Sequence, residues 1–356
     1  MMGTVRLILH VFAVLTVPAA VSCVKTESSS PAEDSGENIA FYVRTPDTRA
    51  MIEDAASLAD RGLSIHVTDM RDAGTFSNTA VAYSGNGAWR SDRSWTAGKS
   101  YEFFAYVSSP GSATGASVSS VSDNGRTVTV SQPSSYSDSP DGYSDYLLSY
   151  RVTASGSRPA PVELKLERVT TGVELYMSTP NPKDEARVIL KEASFINIVR
   201  SATFSIADHA ASSSVSGSSQ IMNTWRVVRS TQRVTYLKNT GAEGMELEYF
   251  DPAGGDFGYD YSKYGIMRFL TVRQPLTETV TTGVTDIVLH LEYAVEENGQ
   301  TVDYEVDMPL KNYRPTMWSI GHKVRYYVTI DSSIDLVGTV VKWNEVDFIE
   351  GTLLPD

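Results

Sequence analysis

Cysteine is almost absent from the chain, with Cys23 the single one in 356 residues. No internal disulfide can form, and whatever stability the protein has must come from buried apolar side chains and backbone pairing. Positive charge is also scarce: 30 Lys and Arg stand against 43 Asp and Glu, a formal net charge of −13. A phosphate backbone requires a concentrated positive field, so the balance argues against nucleic acid as a partner and fits a solvated extracellular surface. Histidine is rare as well. His66, His209, His290 and His322 are scattered along the sequence without metal-ligand spacing or a neighbouring nucleophile motif, and read as solvated or edge-strand residues. Long hydrophobic runs are missing too, since the apolar stretch Leu7 to Val17 is too short to span a bilayer.

That stretch has a different use. Met1 to Arg6 carries one positive charge, Leu7 to Val17 is apolar, and Pro18 to Ser22 is small, which is the three-part pattern of a secretory signal peptide over residues 1–22. Small residues directly before Cys23 fit a bacterial lipoprotein junction, in which the thiol is acylated and becomes the mature N-terminus. Ala20-Val21-Ser22 also fits ordinary signal-peptidase cleavage, and Ala20 stands where a lipobox usually has leucine. A lone exposed thiol in an exported protein is an oxidation liability, and the Ser, Glu, Pro and Gly of residues 23–37 form a disordered tether suited to an anchored domain. Both features favour lipidation of Cys23, with attachment to the outer membrane.

What the chain has in quantity is apolar and aromatic sequence in short alternating runs: 41% hydrophobic, with 19 tyrosines. Asn298-Gly299 suits a two-residue type I′ turn, and pairing outward from it opposes Val295 to Val302, Tyr293 to Tyr304, Leu291 to Val306 and Leu289 to Met308. Glu292, Asp303, Glu305 and Asp307 fall on the other face, toward water. The same exercise at Asn124-Gly125 opposes Val121 to Val128 and Ser119 to Val130. A period of two places Val162, Leu164 and Leu166 inward, and likewise Val324, Tyr326, Val328 and Ile330. "FYVRT" reads as an opening strand, Ile39 to Thr45, and "YEFFAYV", apolar on both faces, belongs in the middle of a sandwich. Only Met51 to Asp60 offers a helical alternative. The fold class is all-β. Thr153 to Pro161 is the seam between an N-terminal β-sandwich domain, 38–157, and a C-terminal one, 158–356.

Catalytic patterns find no support. "AGKS", Ala97 to Ser100, resembles the end of a phosphate loop, but Arg93 stands where the motif needs glycine and the segment feeds a strand, so a β-turn is expected. The acidic loops Asp251 to Tyr261 and Ser137 to Tyr146 lack calcium-loop spacing and read as ordinary turns. No cofactor, metal or catalytic residue is assigned.

Several phrases, in order, carry a resemblance: "IAFYVRTPDTRAMI", "GAWRSDRSWTAGKSYEFFAYV", "DYLLSY" followed by "PVELKLERVTTGVELYM", "FLTVRQPL", and "MWSIGHKVRYYVTI" leading to "VVKWNEV". Together they are similar to the Bacteroidales fimbrillin-like pilus subunits. The resemblance implies two transthyretin-like β-sandwich domains in tandem, export as a lipoprotein, and assembly with other pilin subunits into a surface fimbrium. It implies no enzymatic activity. In shaft members an arginine-specific protease removes the first strand, and the matching pair here is Arg49-Ala50. Beyond the strand through Trp343 and Asn344 only "EVDFIEGTLLPD" remains, short for a donated strand unless the strand from Leu336 is itself given. A tip or anchor position is therefore at least as expected as the shaft. The alternative is an outer-membrane lipoprotein that binds polysaccharide through exposed aromatics such as Trp89 or Trp225, and surface glycans or host proteins are partners under either reading.

Overall fold

A computed structural model describes residues 38–44, 64–205, 227–251 and 261–342, with breaks at 73–75, 78, 86–87, 109–117, 123–126, 140–142, 144, 281–282 and 332–333. The strands are β1 (Asn38–Arg44), β2 (Ser64–Asp69), β3 (Thr79–Gly85), β4 (Ala88–Ser94), β5 (Ser100–Ser108), β6 (Val118–Ser122), β7 (Thr127–Ser131), β8 (Tyr146–Ser149), β9 (Val152–Ser155) and β10 (Val162–Arg168). There follow β11 (Thr170–Ser178), β12 (Ala186–Val199), β13 (Ser201–Ser205), β14 (Val227–Arg229), β15 (Arg233–Asn239), β16 (Met245–Glu246), β17 (Gly265–Val272) and β18 (Gln274–Pro275). The last are β19 (Thr277–Val280), β20 (Gly283–Asp286), β21 (Val288–Glu297), β22 (Gln300–Pro309), β23 (Met317–Trp318), β24 (His322–Ile330) and β25 (Ile334–Lys342). One helical turn, α1 (Tyr261–Tyr264), precedes β17. The chain is all-β, as its alternating runs require.

The first sheet closes on itself. Its order is β2-β3-β4-β1-β10-β8-β5-β9, and β2 also pairs with β5. Closure removes the raw edges that an open sheet would present to water. β10 turns the corner by changing partner midway, pairing with β1 through Lys165 and with β8 from Leu166. Val162, Leu164 and Leu166 point inward as their spacing predicts, into a core with Ile39, Phe41, Val67, Phe76, Phe103 and Leu147. Tyr101 and Phe103 to Val107 of β5 are buried and the strand is bordered by β2, β8 and β9, which explains why "YEFFAYV" is apolar on both faces.

Two further sheets, β17-β11-β24-β25 and β15-β12-β21-β22, share one core. Val173, Leu175, Val324, Tyr326 and Val328 come from the first, and Val188, Leu190, Phe195, Leu289 and Leu291 from the second. The β21–β22 ladder has the register deduced from the sequence, with Val295 opposite Val302, Tyr293 opposite Tyr304, Leu291 opposite Val306 and Leu289 opposite Met308. Asn298 (φ 52°) and Gly299 (φ 76°) both adopt the positive φ that a type I′ turn needs.

A fourth sheet, β14-β13-β7-β6, joins early and late sequence through the antiparallel β7–β13 ladder. Around it Phe104, Val128, Val130, Tyr146 and Leu148 pack with Val169, Val199, Phe204, Val272 and Ile320. In the β6–β7 hairpin Val121 does face Val128, but Val130 is opposite Val118, not Ser119, because a bulge shifts the register. Its turn, Asn124-Gly125, and the helical alternative at Met51 to Asp60 lie outside the described residues. The chain through Thr153 to Pro161 leaves β9 and re-enters the same closed sheet as β10.

Candidate functional site

The opening strand is the feature through which this fold could act. In β1, "NIAFYVR", alternate residues point inward: Ile39 and Phe41 are fully buried and Val43 nearly so, while Ala40 and Tyr42 are half-buried on the other face. Phe41 lies edge-on to Phe103 with ring centroids 5.1 Å apart and to Phe76 at 6.2 Å, and Phe76 meets Phe103 at 5.5 Å. Such edge-to-face contacts add to the burial itself.

β1 is an inner strand. On one side it runs antiparallel to β4, with Phe41 opposite Trp89, Tyr42 opposite Ala88 and Ala40 opposite Arg90. On the other it runs parallel to β10, with Phe41 opposite Val162 and Val43 opposite Leu164. A register shift falls between Asn38 and Ala40, and there the buried Ser91 hydroxyl donates to the Ile39 carbonyl at 3.2 Å. Taking β1 out would leave β4 and β10 as facing edges over an apolar slot for three alternating side chains. At ~1.5–3 kcal/mol for each buried apolar side chain, the lost burial is roughly 5–9 kcal/mol. That is comparable with the whole stability of a typical domain. The slot cannot stay empty without cost.

Arg49 and Ala50 lie outside the described residues, in the segment that follows β1; Cys23 lies outside them too. The strand from Leu336 onward is found in β25, an edge strand paired with β24 from Ile334 to Lys342. Leu336 is buried, whereas Val337 on the other face is 51% exposed.

Other sequence candidates resolve into structure. Gly98, at φ 77°, makes the turn into β5, and the Lys99 ammonium sits 2.7 Å from Asp72, a structural ion pair in place of a phosphate grip. Asp145 in the first acidic loop is buried, accepting from Arg168 Nε at 2.7 Å and from the Thr170 hydroxyl at 2.6 Å. Tyr143 and Tyr146 are buried in cores. Trp89 is 3% exposed and packs on Tyr83 at 5.4 Å, which removes it as a sugar platform; Trp225 and most of the loop after Asp251 lie outside the described residues.

Two buried carboxyls behave differently. Burial alone would raise Glu174, yet Lys323 and Arg325 hold it below the usual range, with Arg325 Nε donating at 2.8 Å and the Tyr176 hydroxyl at 3.0 Å. Glu167 on β10 has no such partner strong enough: burial pushes it up to about 7, although Tyr150 and Lys165 pull the other way.

No protein-family model and no curated protein matches the chain. Solved structures do. A fimbrial protein from Bacteroides vulgatus ATCC 8482 is similar over 86% of this chain and 99% of its own, at 13% identity and a TM-score of 0.46. A fimbrial assembly protein from Parabacteroides distasonis ATCC 8503 covers 86% of this chain and 98% of its own, at 13% identity and a TM-score of 0.38. A candidate cell adhesion protein from Bacteroides uniformis ATCC 8492 covers 86% and 99%, at 12% identity and a TM-score of 0.43.

Proposed function

We propose that the chain is a structural and adhesive subunit of a surface fimbrium, assembled by strand exchange and performing no catalysis. The observation that carries this reading is the place of β1, an inner strand whose apolar face fills a slot between β4 and β10 and which is followed by the Arg49-Ala50 pair. Cleavage after Arg49 would sever β1 from the rest of the chain. The unpaired backbone of β4 and β10 and the vacated slot would then be satisfied by a strand with apolar residues at alternate positions, supplied by another subunit. Cys23, acylated, would hold the precursor on the outer membrane until that cut. The names carried by the similar structures and the ordered phrases in the sequence agree with this assignment.

The body would be two sandwich domains in tandem, 38–157 and 158–356, with β10 reaching back to complete the first. A tip or anchor place in the fibre is at least as fitting as the shaft, because β25 is already engaged with β24 from Ile334 to Lys342. Such a subunit would accept a strand more readily than give one.

Incubating the purified precursor with an arginine-specific protease tests the reading. A single cut after Arg49, followed by SDS-resistant ladders when a donor subunit is added, is the expected result, and Arg49→Ala should prevent both. A chain that resists cleavage, or that stays monomeric after it, would overturn the proposal.

A further inference from the structure

On the outer face of the β12-β21-β22 sheet, three side chains that are unremarkable in the sequence come together. His290 and Glu292 are two apart on β21 and so share a face. Glu192 on β12 is the cross-strand neighbour of Glu292. One ligand atom from each of Glu192, His290 and Glu292 lies within 4.8 Å of the others. On the far side His290 is opposite Asp307 of β22, and its Nδ1 is 2.7 Å from the Asp307 carboxylate. Nε2 is thereby turned toward the glutamates, 3.6 Å from Glu292 Oε1.

The charge around the ring is unbalanced. Among the described residues, Glu192, Glu292 and Asp307 have no ion pair with lysine or arginine. The nearby cations are engaged elsewhere, Lys191 with Asp303, and Arg187 with Glu246 and Glu296. A proton on the imidazole would set one positive charge against the three carboxylates of Glu192, Glu292 and Asp307. A divalent cation answers both glutamates at once.

We propose that Glu192, His290 and Glu292 form a binding site for a divalent transition-metal cation of the zinc type, with Asp307 positioning the imidazole. The donor set is the reason for the class: one imidazole nitrogen with two carboxylates suits zinc, whereas calcium and magnesium prefer oxygen alone. A carboxylate on the other ring nitrogen is the usual support for a metal-bound histidine, fixing tautomer and direction. The imidazole is 13% exposed and Glu292 46%, so an ion can reach the site, where solvent would complete the coordination. A bound ion would tie three adjacent strands together across β12, β21 and the edge strand β22.

The test is a calorimetric titration of the metal-stripped, purified chain with zinc chloride alone, paired with a thermal melt. One equivalent should bind and raise the melting temperature. His290→Ala should abolish both effects, Glu192→Gln and Glu292→Gln should each weaken binding, and Asp307→Asn should weaken it by about 10–100-fold while leaving it detectable. These side chains lie on the outer face, and far-UV circular dichroism of each variant shows whether the fold is kept. Should His290→Ala not fold, the two glutamine variants decide the matter on their own. Absence of zinc uptake, uptake unchanged by the substitutions, or an equal response to magnesium would overturn the proposal.

Discussion

Glu167 sits where the backbone leaves it little choice. β10 must place Val162, Leu164 and Leu166 on the core face, so the residue after Leu166 is turned to the opposite side, where Glu167 is buried beside Tyr150. Burial penalises the ionised form and raises the folded-state pKa to about 7, from an ordinary value near 4.5. The sign follows by linkage: below the ordinary value both states are protonated and nothing is lost, whereas between about 4.5 and 7 the unfolded chain sheds the proton more readily. The folded state therefore loses stability as pH rises through that window, by no more than about 3 kcal/mol, and the loss is complete above it. Glu167→Gln should remove this component. In urea titrations it should match the parent at pH 4 and exceed it at pH 8; a variant less stable than the parent at pH 8 would show that the carboxylate is compensated.

At the level of strands, what could be read in advance was what is local. The β21–β22 register followed from one Asn-Gly pair and a period of two, because a two-residue turn fixes every later pairing. The β6–β7 hairpin obeyed the same rule only as far as a bulge, which inserts a residue without any mark in the composition. Parallel pairing of β1 with β10 was invisible, since its partners are far apart in the chain and nothing in either segment names the other. For the same reason the slot around β1 was legible only as an apolar strand. The Glu192, His290 and Glu292 cluster was half legible: the spacing His-x-Glu puts two ligands on one face of a strand, but Glu192 joins them through sheet register alone. Within β1, Phe41 carries the most weight, meeting both Phe76 and Phe103. Phe41→Ala should cost about 3–5 kcal/mol in chemical denaturation of the uncut precursor. Tyr42→Ala, from the half-buried face, should cost less, and equal losses would mean that the slot is not what anchors this strand.

Across the whole molecule, the question is whether early and late sequence unfold separately. Length alone is enough for about two domains, and the β7–β13 ladder and the core around Phe204 join the two parts of the chain. Phe204 is fully buried there among residues such as Val128, Val130 and Tyr146 from one side and Val272 and Ile320 from the other. The buried Arg168–Asp145 pair, with Thr170 on the second carboxylate oxygen, lies where β10 passes into β11 and adds a polar tie whose rupture would leave charge in an apolar setting. Tandem domains that share such a core are coupled in unfolding, unlike domains joined by a linker alone. Phe204→Ala should therefore lower the stability of β5 and β24 together, although neither strand contains the substitution. Hydrogen exchange read by mass spectrometry across a denaturant series can follow both segments in one sample. Coincident midpoints that shift in concert, by an amount equivalent to about 3–5 kcal/mol, are expected if the junction is part of the folding unit. A shift confined to one segment would mean that the halves fold independently and merely touch at Phe204, in which case loss of β1 from the first half would leave the second undisturbed.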